Sequence, residues 1–233
     1  MIPLRDNVGT SRFPPANTLL IAANVLVYAY QASLGPYAGE LVDRYGLIPA
    51  RVSLLGHSIA SGDITAPITI LSSIFLHGSF FHLAGNMLYL FIFGAAVENN
   101  FRAARYLAFY LLAGVAAGIA TIWMDPLSPV PVVGASGAIA GVLGGYFILY
   151  PRARILTVLP LVIFIEFIEV PAVVYLFLWF GVQLFEGLRA SSAPYAAMGG
   201  VAWWAHVGGF LFGLGFAPLF KRREKRRRKG SLR

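Results

Sequence analysis

The chain has no cysteine and little charge. Without cysteine there is no disulfide, no thiolate metal site and no cysteine nucleophile. Charged residues make up 12% of the 233 positions and hydrophobic residues 58%, too little polar surface to cover a soluble domain of this length. The composition predicts an integral membrane protein, with one membrane domain and short tails. Residues 1–15 are polar and proline-bearing, so no cleavable signal peptide is expected and the first apolar run is read as a retained span. Acidic residues are also scarce, 10 against 18 basic, and nine of the basic ones fall within 221–233. A basic run can bind nucleic acid. Directly after an apolar helix it reads instead as a cytoplasmic anchor against anionic lipid, and no nucleic-acid partner is expected.

What the chain has in quantity is apolar runs. A hydrocarbon core of roughly 30 Å needs about 20 helical residues. Suitable runs occur at 17–34, 81–97, 104–124, 137–150, 170–188 and 203–220, divided by polar or Pro/Gly-rich connectors. The expected fold is all-α: six transmembrane helices with a long structured first outer loop, 35–79. The domain plan is a cytoplasmic segment 1–16, a membrane domain 17–220 and a polybasic tail 221–233. The apolar stretch 155–169 is short and carries Pro160, Glu166 and Glu169, so it reads as interfacial or re-entrant. With six spans and both ends cytoplasmic, fifteen of the 18 basic residues lie inside and Arg44, Arg51 and Arg189 outside, which obeys the positive-inside rule.

The fourth run is short. Fourteen residues at 1.5 Å rise cover about 21 Å, so a helix bounded inside by Arg152 begins its outer end below the membrane surface. Ser136 stands at that submerged end. Polar residues in spans are expensive and usually functional. His82 and Asn86, at i and i+4 on one helix face, lie near the outer end of the second span, and His206 near the outer end of the sixth. Orientation came from arginine counts alone, yet it puts these four residues at one depth.

Those residue types suit acyl transfer. A serine hydroxyl becomes nucleophilic when a base within hydrogen-bonding reach takes its proton, and histidine serves. The Asn86 amide, a His82 ring N–H and the Ser136 backbone N–H are candidate oxyanion donors. Gly137-x-x-x-Gly141 and Gly209-x-x-x-Gly213 suit close packing of the fourth and sixth helices. Each residue alone has a plainer reading: Ser136 as a packing residue, Asn86 as an interhelical hydrogen bond, His82 as a satisfied buried group. His57 is read as an ordinary loop residue. Asp125 is a formal third member for a triad, but it ends the third span, and a Ser136/His206 dyad is favoured. His77 and His82 give H-x-x-x-x-H without the carboxylate of a zinc protease, so no metal is expected.

Three segments carry a family resemblance. The stretch from His77-Gly78 through His82 to Asn86-Met87 resembles the second-helix motif of rhomboid intramembrane serine proteases. Gly134-Ala135-Ser136-Gly137-Ala138 resembles their nucleophile motif, and Ala205-His206-Val207-Gly208-Gly209-Phe210-Leu211-Phe212-Gly213 their base-bearing sixth helix. The resemblance implies six helices around a water-filled cavity, Ser136 as nucleophile, and His206 as base and then acid. It implies His82, Asn86 and the Ser136 N–H as oxyanion donors, a structural role for Glu98, and no cofactor. Implied partners are the lipid bilayer and single-pass transmembrane substrates, helix-destabilised near the cut and entering near Gly85 and Trp179-Phe180. The compact six-helix form fits a bacterial or archaeal inner membrane, with an organelle as the alternative. The chain departs from some members in lacking a tryptophan before Trp123 and in having Ala140 where a tyrosine stacks on the catalytic histidine. A non-catalytic client-binding relative need keep neither Ser136 nor His206. A transporter with a histidine relay predicts inverted repeats, and none is evident.

Overall fold

The computed structural model describes residues 1–60, 62, 64–160, 165–191 and 201–221. Among the described residues there are three strands, β1 (Ile2–Asp6), β2 (Arg154–Pro160) and β3 (Ile165–Pro171). The helices are α1 (Pro15–Ser33), α2 (Ala38–Tyr45), α3 (Pro49–Ser53), α4 (Leu55–Ala60), α5 (Thr69–Ser72), α6 (Phe80–Tyr89), α7 (Ala95–Phe101), α8 (Ala103–Met124), α9 (Ser136–Leu149), α10 (Ala172–Ser191) and α11 (Trp203–Phe220). A π-helical turn, Leu90–Gly94, joins α6 to α7.

The protein is a mostly helical, multi-pass membrane protein. Phe80–Phe101, Ala103–Met124, Ala172–Ser191 and Trp203–Phe220 are each long and apolar enough to cross a bilayer. Helix α1 meets that test only together with Gly35–Tyr45, to which it is bent by 118°. Helix α9 has 14 residues, too few to cross alone. It is also the centre of the fold: every residue from Gly137 to Tyr146 is buried. An apolar helix buried on all sides has no lipid-facing stripe.

The expectation of an all-α chain is corrected. The stretch 155–169, read as interfacial or re-entrant, lies in an antiparallel hairpin of β2 and β3 (161–164 lie outside the described residues). Ala153, Ile155 and Thr157 are buried while Arg154 is exposed, the two-residue period of a strand. The N-terminal segment, for which no element was expected, supplies β1. It pairs antiparallel with β2 and has an irregularity between Pro3 and Arg5, giving the sheet order β1-β2-β3. The sheet is tied to α9 by Asp6, whose carboxylate accepts from the Tyr146 hydroxyl at 2.7 Å and from the Val8 N–H at 3.2 Å. Beyond Lys221 the basic tail lies outside the described residues.

A buried polar network anchors α1. Glu98 accepts the Ala16 and Asn17 backbone N–H groups at 3.1 and 2.7 Å. These belong to the first helical turn, which has no internal acceptor for them and favours a negative charge. The Asn17 side chain donates to the Leu90 carbonyl at 3.0 Å, in the π turn, and accepts from the Tyr106 hydroxyl at 2.8 Å. One carboxylate and one amide thus join α1, α7, the π turn and α8.

At the other end of α1, Gln31 grips the His77 backbone. Its amide nitrogen donates to the His77 carbonyl at 2.8 Å and its oxygen accepts the His77 N–H at 3.2 Å. The long outer segment is pinned to the connector before α9 by a reciprocal Leu47–Val132 backbone pair, at 3.0 and 2.8 Å.

Two outcomes test this framework. Glu98→Gln keeps the shape but turns one acceptor into a donor facing an N–H, so stability falls by about 1–3 kcal/mol, read by thermal unfolding in detergent. Burial raises the Asp6 carboxyl above its ordinary 3.8, and the Tyr146 hydrogen bond offsets only part of that. A raised folded pKa means that Asp6 contributes stability while protonated and loses it as pH rises through that value. Asp6→Asn, which still accepts from Tyr146, therefore gains on wild type as pH rises above the ordinary carboxylate value; a gap independent of pH contradicts the assignment.

Candidate active site

Ser136 is the first residue of α9 and His206 the fourth of α11. Separated by 70 positions in the chain, they meet directly: His206 Nε2 and Ser136 Oγ are 2.7 Å apart. Both side chains are half-buried. The approach depends on glycine. A Cβ on Gly209 would strike the Gly137 carbonyl, and one on Gly213 the Gly141 carbonyl. A Cβ on Gly141 would lie 3.2 Å from the Gly209 carbonyl and would strike Ala113 of α8, while Gly137 lies against Ala117 and Ala205. Helices α9 and α11 therefore pack backbone to backbone, with small residues of α8 beside them.

Ser79 opens α6 by accepting the His82 N–H at 3.1 Å, which sets His82 in the first turn and Asn86 one turn further on the same face. Gly134 has φ of 129°, and a Cβ there would sit 2.8 Å from His82 Nε2 and 3.6 Å from Asn86 Nδ2. Both side chains thus converge on the backbone two residues before Ser136. Asn86 Nδ2 is buried with no partner among the described residues. The N–H groups of the first turn of α9, Ser136 included, have no helical acceptor. Gly134 is itself held by its N–H, which donates to the Ser73 carbonyl at 2.9 Å. Beside this group His77 is fully buried, its ring 5.2 Å from that of His82. Burial, with the neighbouring His82, pushes His77 down to about 4, so it stays neutral at physiological pH.

The structure also brings in Gln183 and Trp203, which the sequence reading left out, and sets Trp179, named there only for substrate entry, against the histidine. The Nδ1 of His206 lies 2.7 Å from Gln183 Oε1 on α10. Trp179, one turn earlier, has its ring 5.9 Å from the imidazole, and Trp203 meets the imidazole edge-on at 6.3 Å. The signal for Gln183 was available, since a glutamine in an apolar span is itself a costly polar group. Asp125 closes α8 with its N–H on the Thr121 carbonyl, and it is Gln183 that stands at His206 Nδ1. His57 is exposed on α4.

A multi-pass membrane fold with a serine and a histidine in hydrogen-bonding contact defines the class of site. Residues 65–223 match the model of the rhomboid domain. The chain belongs to the rhomboid family. It is 36% identical over 97 residues to rhomboid protein 1, mitochondrial, of Saccharomyces cerevisiae, covering 40% of this chain and 28% of that protein. It is 45% identical over 75 residues to rhomboid protease GluP of Bacillus subtilis, covering 32% of this chain and 14% of the relative. With rhomboid protease AarA of Providencia stuartii it shares 29% over 141 residues, 53% of this chain and 46% of that one. The matched part is thus less than half the length of each of these relatives.

The glycine contacts carry a prediction. Gly209→Val drives α11 away from the Gly137 carbonyl and separates Ser136 from His206, so labelling of Ser136 by a fluorophosphonate falls to background in a folded variant. Wild-type labelling rates in that variant would refute the packing argument.

Proposed function

We propose that this chain is an intramembrane serine endopeptidase, hydrolysing peptide bonds in or near transmembrane segments by a Ser136/His206 dyad. The observation that carries this reading is the 2.7 Å contact between His206 Nε2 and Ser136 Oγ. The family, and relatives that bear the name rhomboid protease, support it.

In the proposed reaction Ser136 Oγ attacks the scissile carbonyl carbon while His206 Nε2 takes the hydroxyl proton. Negative charge collects on the former carbonyl oxygen. The Ser136 N–H, the Asn86 amide and the His82 ring are the donors that receive it, and preorganised donors within a protein contribute more than they would in bulk water. Collapse of the intermediate breaks the C–N bond, and His206 returns the proton to the departing amine. Water, activated by the same histidine, then hydrolyses the ester and restores the Ser136 hydroxyl. Gly137, Gly141, Gly209 and Gly213 hold the two helices at the spacing that this chemistry needs.

The remaining parts of the reading concern setting. Counting α1 and α9 gives six spans with both termini cytoplasmic, in a prokaryotic inner membrane, and a long outer segment between α1 and α6. The polybasic tail lies against anionic lipid. Substrates are single-pass membrane proteins that approach between α6 and α10. There Gly85 has no neighbour within 4 Å of a Cβ position, and Phe80, Phe81 and Phe177 are exposed.

Fluorophosphonate labelling tests the reading without knowledge of a substrate. The purified wild type labels, and Ser136→Ala and His206→Ala do not. A folded wild type that stays unlabelled under conditions where a known rhomboid protease reacts removes the peptidase reading in favour of a non-catalytic, client-binding role.

A further inference from the structure

The dyad has a third polar neighbour whose orientation is fixed by a separate bond. Gln183 is 7% exposed, on the face of α10 that meets α11. Its amide nitrogen donates to the Trp179 carbonyl, one turn earlier, at 3.3 Å. That bond assigns the two ends of the amide: nitrogen toward Trp179, oxygen toward the imidazole. The oxygen lies 2.7 Å from His206 Nδ1.

An amide oxygen only accepts. The ring nitrogen facing it must then carry the proton, which leaves Nε2 with its lone pair directed at Ser136 Oγ. This is the tautomer that a general base requires. The opposite tautomer would set two lone pairs against each other at Nδ1 and aim an N–H at the serine oxygen. We propose that Gln183 is a positioning residue for the dyad, holding His206 in the Nδ1–H tautomer and in register with Ser136. The catalytic consequence rests on the peptidase reading; the tautomer assignment stands apart from it.

Other groups near the ring do not do this. Ala140, one turn along α9 from Ser136, has only a methyl to offer. Trp179 and Trp203 confine the ring by their surfaces but present no acceptor at Nδ1. Of the titratable groups, Glu186 on the same helix as Gln183 is paired with Arg189 at 2.7 Å, and His82 stands on α6 against Gly134.

Two variants and two readouts test the proposal. Gln183→Met keeps the length of the side chain and loses the acceptor. In the reconstituted enzyme with a transmembrane substrate, its kcat falls about 10- to 100-fold, equivalent to about 1.4–2.7 kcal/mol of barrier, while KM changes little. Gln183→Glu restores the acceptor as a carboxylate. It recovers kcat relative to Gln183→Met, and it moves the ascending limb of the kcat/KM profile to higher pH because an anion favours the imidazolium. Nitrogen NMR of histidine-labelled protein reads the tautomer without any turnover: wild-type His206 is protonated on Nδ1, and Gln183→Met shows a mixture. A folded Gln183→Met with wild-type kcat and an unmixed Nδ1–H ring overturns the proposal, as does a Gln183→Glu enzyme with an unshifted profile. A wild type that carries the Nδ1–H ring but takes no fluorophosphonate would sink the peptidase reading and leave the tautomer assignment in place.

Discussion

The arrangement depends on the backbone contact between α9 and α11. Where Gly209 meets the Gly137 carbonyl and Gly213 the Gly141 carbonyl, there is no room for a single methyl group. Between membrane helices the hydrophobic effect supplies no attraction, because lipid tails are as apolar as leucine. Close packing and its summed dispersion do the work instead, and they require small residues on both faces. The result is a central helix enclosed by protein along ten consecutive residues, Gly137 to Tyr146. Enclosure explains how α9 can be short. A lipid-exposed helix of 14 residues would strain the bilayer around it, whereas one surrounded by other helices meets no lipid to mismatch.

The two ends of α9 are held in different ways. Its N-terminal end, with Ser136, is half-buried beside a backbone kept open by Gly134. Its C-terminal end is fastened. Tyr146 donates to Asp6 of the sheet at 2.7 Å, and Tyr150 donates to the Ala96 carbonyl at 2.8 Å. With the sheet under one end and the α1 network fixing α7 and α8 alongside, α9 has few ways to slide. The proposed dyad needs its two atoms held to within a few tenths of an ångström, and this end-anchoring gives α9 a fixed position against which α11 presents His206.

Membrane character and the ranges of the long apolar helices were legible in the sequence because apolar runs report directly on the bilayer. Ser136, His206, His82 and Asn86 stood out as polar groups in apolar runs at one depth, and the structure brings the first two into contact. The sheet was not legible. Along β2 the buried positions Ile155 and Thr157 alternate with Leu156 and Val158, which are apolar and half-buried. A two-residue period is invisible when both faces are apolar, and the stretch read as one continuous run. The pairing of residues 2–6 with 155–158 joins segments about 150 positions apart, and no local pattern announces that. Gln183 was missed for another reason. It lies in none of the three motifs and, unlike Asn86, has no histidine one turn away on its own helix.

A glutamine cannot transfer a proton, and that inability suits Gln183 to its place. A carboxylate at Nδ1 would stabilise the imidazolium more strongly, as in a soluble triad. Within a membrane domain, though, an ionised carboxylate carries a desolvation penalty of several kcal/mol unless it is paired and hydrogen-bonded on its remaining lone pairs. The amide meets a smaller requirement with what α10 already offers: its nitrogen is satisfied by the Trp179 carbonyl and its oxygen by the imidazole N–H. It fixes the orientation of the ring while adding no net charge to an apolar helix. The constraint that makes α9 and α11 glycine-lined, the absence of water from most of the domain, thus also favours a neutral group behind the histidine. Orientation, which an amide can supply, is retained; the extra stabilisation of the imidazolium, which needs a charge, is given up.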